Sequence, residues 1–112
     1  QLVARLQEQI VSGAYPPGSK LPSVRDLAAD AGVNPNTVQR AFAELERLGL
    51  IYTQRTSGKF VTEDAAAIDA ARRALAEGQT RQYLAAMSAL GFDRAALITF
   101  LNQMEETKDA NS

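Results

Sequence analysis

The stretch that decides the fold spans residues 23–50 and has the sequence SVRDLAADAGVNPNTVQRAFAELERLGL. It holds two short helical patterns: Leu27 and Ala28 form the apolar face of the first, and Val38 and Phe42 stand about one turn apart in the second. A Gly-Val-Asn segment separates the two patterns. Two helices joined by so short a turn are typical of a helix-turn-helix.

Capping residues mark where both helices begin and end. Ser23 is a favoured N-cap, and Asn34 before Pro35 is a strong start signal because proline at the first helical position loses no hydrogen bond. Gly32 and Gly49 predict the two helix ends. Asn34 is therefore interpreted as a structural cap rather than as a ligand contact.

The flanking segments complete the head of the molecule. Before the stretch, Leu2, Leu6 and Ile10 at spacings of four predict an amphipathic helix. After it, residues 51–54 and 60–62 are β-branched or aromatic runs around a polar loop that contains glycine, which predicts a hairpin. A helix-turn-helix followed by a hairpin predicts a winged helix-turn-helix.

The rest of the chain predicts helices. Residues 64–90 are rich in alanine and predict either one long helix weakened at Gly78 or two shorter ones. Another helix is predicted from residue 94 to about 106. The predicted fold class is mainly α with a small β-hairpin: an N-terminal winged helix-turn-helix followed by a short C-terminal helical dimerisation region. The predicted boundaries are 1–62 for the DNA-binding domain, 63–107 for the dimerisation tail and 108–112 for a disordered end.

Composition limits the chemistry of the chain. Its 112 residues include no Cys and no His, which excludes disulfides and thiolate metal sites and removes the commonest general base. We therefore expect no enzymatic activity, no cofactor and no metal. No apolar run approaches the roughly 20 residues that span a bilayer, so we expect no membrane partner and a cytoplasmic protein.

Charge is unevenly distributed along the chain. The formal net charge of -1 argues at first against nucleic-acid binding. Residues 1–62, however, hold seven basic against five acidic residues, a charge of +2, whereas the remainder holds five against eight, a charge of -3. So small an excess in the basic half predicts that useful DNA binding depends on pairing of two chains.

Candidate DNA contacts follow from the residue types on the helices and the wing. Asn36, Gln39 and Arg40 are predicted to contact bases, since Asn and Gln pair with adenine and Arg with guanine. Thr37 is assigned to a base or a phosphate, and Arg25 to the backbone. The predicted DNA-binding set is Ser23, Arg25, Asn36, Thr37, Gln39, Arg40, Arg55, Gly58 and Lys59.

Simpler interpretations of several of these residues stay open. Ser23 is explained equally by capping, and Arg55 with Lys59 by a solvated hairpin tip. Glu44 and Arg47 are interpreted as a surface pair on the helix. A tip with two cations and a glycine is nevertheless what a wing needs to approach a minor groove closely.

Four motifs carry a resemblance to a known family: PGSKLPSVRDLA at residues 17–28, GVNPNTV at 32–38, LERLGLI at 45–51 and GKFV at 58–61. With these separations, the first 62 residues closely resemble the winged helix-turn-helix domain of the GntR family of bacterial transcription regulators. The short helical tail resembles that of the YtrA-like subgroup. The subgroup usually has a short segment before the position of residue 1, so we expect preceding residues.

The resemblance implies a DNA-binding transcription regulator whose partner is double-stranded operator DNA. Repression is the leading hypothesis for its effect on transcription. The resemblance implies that Arg25, Asn36, Thr37 and Gln39 occupy operator-contacting positions and that Gly58 lies where the wing meets the minor groove. It also implies that the tail serves dimerisation and is too small for a dedicated effector-binding domain, which leaves any small-molecule effector unknown.

The tail supplies the residues for a homodimer. Its last predicted helix has more apolar surface than one neighbouring helix needs to cover, although packing on the tail's own first helix is the alternative. A symmetric dimer would bind a two-fold symmetric operator. The predicted dimerisation set is Leu90, Leu97, Ile98, Phe100, Leu101 and Met104.

Two other classes of function stay open. Heads of this kind also occur fused to aminotransferase-like domains that use pyridoxal phosphate, which would require several hundred further residues and a Schiff-base lysine. A winged helix that makes only protein contacts is the other, and it would lack salt-dependent DNA binding.

Overall fold

The computed structural model describes the backbone of residues 1–111 and the side chains of residues 1–104. In this part of the chain, five helices and one hairpin follow the predicted order, and the mainly helical winged fold is confirmed. The elements are α1 Leu2–Val11, α2 Val24–Ala31, α3 Pro35–Arg47, β1 Ile51–Gln54, β2 Gly58–Val61, α4 Ala65–Ala89 and α5 Arg94–Asn111.

Helices α2 and α3 begin at the predicted caps. The Oγ atom of Ser23 accepts a hydrogen bond from the amide of Asp26 at 3.1 Å, and Oδ1 of Asn34 accepts one from the amide of Asn36 at 2.8 Å. Gly32 ends α2 with φ of +66°, in the left-handed region that favours glycine. These local contacts set the turn between the two helices.

The wing contains a third extended segment besides β1 and β2. The two strands pair antiparallel, with Ile51 opposite Val61. The proline-rich connection between α1 and α2 then lies along β2, since the amide of Leu21 donates to the carbonyl of Lys59 at 2.8 Å and that of Val61 to the carbonyl of Ser19 at 2.9 Å. The connection is therefore fixed to the wing.

Residues Gln1–Ala74 form one compact unit, here called the head. Phe42 and Leu45 of α3 are 2% and 0% exposed, so α3 is covered on its inner side. The core is closed by residues from α1, α2, α3, the wing and the start of α4. Its buried members are Leu6, Ile10, Leu21, Leu27, Ala28, Val38, Ala41, Phe42, Leu45, Leu50, Ile51, Val61 and Ile68.

The first turns of α4 belong to the head. Ile68 is buried in the core, and Nη2 of Arg72 donates to the carbonyl of Val11, at the end of α1, at 2.8 Å. Packing thus continues beyond residue 62. The predicted end of the DNA-binding domain at that residue remains a prediction, because packing does not test where DNA binding ends.

Residues Leu75–Ser112 form the second compact unit, here called the tail. Helix α4 continues into it without a break, so the open choice between one helix and two is settled as one, with Gly78 inside it. Alanine-rich neighbours make this possible because they offset the low helix propensity of glycine. The rings of Phe92 and Phe100 lie 5.1 Å apart at the start of α5.

Two expectations concern the ends of the chain and membranes. The predicted disordered end, residues 108–112, lies outside the part of the chain whose side chains are described. Among the described residues, no single helix has the length and hydropathy of a membrane span; α4 and Arg94–Met104 meet that test only as a pair, bent by 99°.

Candidate nucleic-acid interface

Helix α3 presents its predicted DNA contacts on its solvent side. One face of the helix is used by the core, so its 3.6-residue period leaves Asn36, Thr37, Gln39 and Arg40 exposed. Among the described side chains, these four make no hydrogen bond or ion pair inside the protein. They are therefore available to bases and phosphates along the first two turns of the helix.

The start of α2 adds two predicted phosphate contacts. Oγ of Ser23 is the acceptor in the helix cap, which leaves the hydroxyl hydrogen available as a donor. Arg25 is exposed and, within the described part of the chain, has no acidic partner. The structure thus shows that Ser23 is a cap, while its DNA contact remains a prediction alongside that of Arg25.

The two acidic residues of α3 are both engaged by cations. Nε of Arg47 donates to Oε2 of Glu44 at 3.0 Å, and the guanidinium also forms an ion pair with Oε1. Hydrogen bonding from Arg47 lowers the pKa of the Glu44 carboxyl and raises that of the guanidinium. The pair matches the surface interaction expected from their spacing on the helix.

Lys59 of the wing is bound to α3 instead of pointing freely to solvent. Its ammonium forms an ion pair with Glu46 and donates to Oγ1 of Thr53 at 2.7 Å. The Thr53 hydroxyl donates in turn to Oε1 of Glu46 at 2.7 Å. The hydrogen bonds from Lys59 and Thr53, in that order of effect, lower the pKa of the Glu46 carboxyl. This triad of Lys59, Thr53 and Glu46 ties both wing strands to α3.

The rest of the wing tip is open. Arg55 lies in the exposed turn between the strands and has no ion-pair partner among the described residues. Gly58 has φ of +108°, a backbone conformation that residues with a side chain rarely adopt. The rings of Tyr52 and Phe60 stack across the strands at 5.8 Å and hold the hairpin together below this tip.

Lys20 is a wing residue that the sequence reasoning missed. Its Cε atom lies 3.2 Å from the point where a side chain at Gly58 would begin, and its Nζ atom lies 4.0 Å from that point. Lys20 is exposed while its neighbour Leu21 is buried, as in an extended strand. That alternation was visible in the sequence, but its meaning depended on a pairing with Phe60 that is 40 residues away.

The predicted dimerisation residues divide into two groups. Leu90, Ile98, Leu101 and Met104 are exposed, by 72% in the case of Leu90 and 45–54% in the others. Leu97, in contrast, is only 4% exposed, so most of its surface is already covered within the chain. Phe100 is half-buried beside Phe92, and exposed Tyr83 and Leu84 of α4 are tail residues that the sequence reasoning did not include.

The surface of the head is suited to nucleic acid. Within the residues described, no group of three or more His, Cys, Asp or Glu residues is placed to hold a metal ion. What the head does offer is an exposed polar helix, an adjacent helix start and a glycine-containing wing with cations. That combination fits the backbone and base edges of DNA.

Comparisons with known proteins support the same interpretation. The family model described as bacterial regulatory proteins, gntR family, matches residues 1–61. YhcF of Bacillus subtilis (strain 168), named as an HTH-type transcriptional regulator, is 33% identical over 106 residues, which are 95% of this chain and 88% of that protein. The HTH-type transcriptional repressor YtrA of the same organism is 46% identical over 65 residues, 58% of this chain and 50% of that protein.

A solved structure extends the likeness to three dimensions. A GntR family transcriptional regulator from Listeria monocytogenes superposes with a TM-score of 0.83 at 41% identity, covering 92% of this chain and 90% of that one. The resemblance to YtrA-like regulators and the expectation of a non-enzymatic protein are both confirmed, since these relatives are named as transcription regulators. From the family match, the relative of nearly equal length and the shared winged fold, it follows that this chain belongs to the GntR family of bacterial regulatory proteins.

Proposed function

We propose that two copies of this chain bind a two-fold symmetric operator in double-stranded DNA and repress transcription by occupying it. In each half-site, helix α3 of one copy enters the major groove and the wing of that copy approaches the neighbouring minor groove. The observation that carries the proposal is that Asn36, Thr37, Gln39 and Arg40, on the first turns of α3, are exposed and have no side-chain partner among the described residues. Operator binding would place the protein at the nucleoid, in the cytoplasm.

The distribution of unpaired cations supports a DNA-facing side on the head. Of the seven basic residues in 1–62, Arg47 and Lys59 are ion-paired with acidic residues of α3. The other five have no ion-pair partner among the described residues, so they retain the full charge that attracts phosphates. They are Arg5, Lys20, Arg25, Arg40 and Arg55.

Exposed apolar side chains in the tail support the dimer. Leu90 is 72% exposed, and Ile98, Leu101 and Met104 follow one another in steps of three along α5. Covering such residues with a second copy removes apolar surface from water, which favours association by roughly 25 cal/mol for each Å² before the entropic cost of association is subtracted. Two identical heads related by a two-fold axis then match a symmetric operator. The relative named as a repressor, YtrA, supports repression as the outcome.

Binding-site selection on the purified full chain tests the proposal. We expect an inverted repeat whose half-site centres lie about 10 base pairs, or a multiple of that, apart, because the two recognition helices must enter the same face of the duplex. A selected site consisting of one unrepeated half would contradict the symmetric dimer. Absence of any enriched sequence would contradict operator recognition itself.

Arg25 provides a residue-level test on the selected site. Arg25→Ala should weaken operator binding and reduce the slope of log affinity against log salt by roughly 0.9 for each subunit, since it removes one phosphate contact. Arg81→Ala in the tail is the matched control, because it removes the same charge from an exposed helix position. Equal affinities for the two variants in a fluorescence-anisotropy titration would remove Arg25 from the contacts.

A further inference from the structure

The segment before α2 brings one cation to the wing that the hairpin itself does not contain. Ser19 and Leu21 are hydrogen-bonded to β2 on either side of Lys20, and Lys20 forms a bridge with Phe60. The backbone at Lys20 is thus fixed relative to the wing. Leu21, buried in the core, anchors this segment from the other side.

The side chain of Lys20 lies along the open face of Gly58. A β-carbon at position 58 would approach Cε of Lys20 to 3.2 Å, so the absence of a side chain there gives the lysine stem its place. An open cleft of about 320 Å³ is lined in part by Lys20, Ser23 and Gly58. It faces both the wing tip and the start of α2.

Lys20 and Lys59 differ in how much of their charge is available. Lys59 is only 31% exposed at its side chain, and its ammonium is neutralised by Glu46 while it also bonds to Thr53. Lys20 is exposed and lacks any acidic partner within the described residues. A phosphate that approaches Gly58 would therefore meet the charge of Lys20 without having to break an existing ion pair.

We propose that Lys20 is the phosphate-binding residue of the wing, and that Lys59 is a positioning residue that fixes the wing on α3 through Glu46. The ligand is a phosphate oxygen of the DNA backbone beside the groove that Gly58 approaches. This assignment rests on the proposed DNA-binding function. From the sequence alone, Lys59 in the hairpin was predicted to contact DNA and Lys20 was not. The assignment proposed here reverses that prediction.

The test uses charge changes on the full chain, measured by fluorescence anisotropy on the selected operator over a range of salt concentrations. Lys20→Met keeps the aliphatic stem and should reduce the salt slope by roughly 0.9 for each subunit, because one phosphate contact is lost. Lys20→Arg should keep the wild-type slope. Circular dichroism is expected to show an unchanged fold, since Lys20 is exposed.

A charge-balanced variant tests the role of Lys59. Glu46→Gln combined with Lys59→Met removes both members of the ion pair, so it should weaken operator binding by misplacing the wing while leaving the salt slope unchanged. Lys59→Arg, which can still pair with Glu46, should restore most of the affinity.

The outcomes separate this assignment from the proposed function. If the wild type shows no salt-dependent DNA binding, both are overturned. If the wild type and Arg25→Ala behave as proposed but Lys20→Met keeps the wild-type slope, only the assignment of Lys20 is overturned. A slope reduced by the charge-balanced variant, rather than by Lys20→Met, would return the phosphate contact to Lys59.

Discussion

The head and the tail bury their apolar side chains to very different extents. Among the residues with described side chains, the head contains thirteen of the fully buried apolar residues and the tail contains one, Leu97. The tail instead exposes most of its large apolar residues, Leu90 among them. The head therefore buries its apolar side chains in a core of its own, whereas the tail leaves apolar surface that a partner can cover.

Charge is also divided between the two regions. The head holds nine basic and eight acidic residues, a charge of +1, whereas the tail holds three against five, a charge of -2, so most of the basic side chains belong to the region with the closed core. A closed core gives the contact residues a rigid support, which precise base recognition requires. An acidic tail avoids competing for phosphates. The two regions thus divide the work proposed here between recognition and assembly.

The largest expected effect comes from opening the core of the head. Phe42→Ala should cost about 3–5 kcal/mol of unfolding free energy, because it leaves a cavity at a side chain that is buried to 2% exposure. Leu90→Ala in the tail is the matched control, and we expect it to leave the unfolding of a monomeric variant almost unchanged. Urea denaturation followed by circular dichroism compares them. Similar losses from the two substitutions would contradict the difference between head and tail.

The next largest effect is expected from disrupting the dimer. Ile98→Lys combined with Leu101→Lys places charges on exposed apolar positions, so it should produce monomers with a folded head. Because the second half-site then no longer benefits from the first, operator affinity should fall by about 100-fold or more. Sedimentation velocity reports the oligomeric state, and anisotropy reports the affinity.

Two features of this experiment follow from the structure. Leu97 is left unchanged because it is buried within the chain, where a charge would disturb folding. Asn102→Lys, an exposed polar position on the same helix, controls for added charge and should remain dimeric. Dimers of the double variant would place the interface elsewhere on the chain.

Much of the head could be predicted because its signals are local. Ser23, Asn34 and Gly32 act within four residues of their own positions, so capping and turn chemistry were sufficient to place α2 and α3. The exposed side of α3 followed from its period. The four residues of that helix predicted to contact DNA do lie on its exposed side, although their contacts stay predictions.

The parts that sequence reasoning could not supply depend on contacts between distant residues. The Glu46 and Lys59 pair spans thirteen positions, and Lys20 reaches Gly58 only because its segment pairs with β2. Neighbouring apolar residues of α5 pose the same difficulty: Leu97 is buried and Ile98 is exposed, yet both are equally hydrophobic. Periodicity defines a face, but only packing shows which part of it is already covered.

Two glycines sharpen the comparison, one in each region. Gly58→Ala should destabilise the head by about 1–2 kcal/mol, because φ at this position is +108° and alanine is strained there. Gly78→Ala should instead stabilise the tail by up to about 1 kcal/mol, since Gly78 lies inside α4 with open space around it. Thermal unfolding of the two variants should therefore shift in opposite directions, and a shift in the same direction would contradict this account.

The smallest effect concerns pH and the triad that joins the wing to α3. The folded-state pKa of Glu46 lies below its ordinary value of 4.5, chiefly through the hydrogen bond from Lys59, so folding favours the ionised carboxyl. The contribution of this ionised carboxyl to the free energy of unfolding is complete above the unfolded-state pKa. It is lost as the pH falls below about 4.5 and through the folded-state pKa.

Because the pair is partly exposed, the contribution should stay below about 1 kcal/mol. Glu46→Gln should therefore lower stability slightly at pH 7, and this loss should shrink as the pH falls below about 4.5, when measured by denaturation against Glu63→Gln as an exposed control in the head. A stability difference that does not shrink as the solution is acidified would mean that Glu46 acts through packing rather than through charge. In that case packing rather than the ion pair would hold the wing on α3, and the Glu46→Gln variant at pH 7 would still place Gly58 at the minor groove.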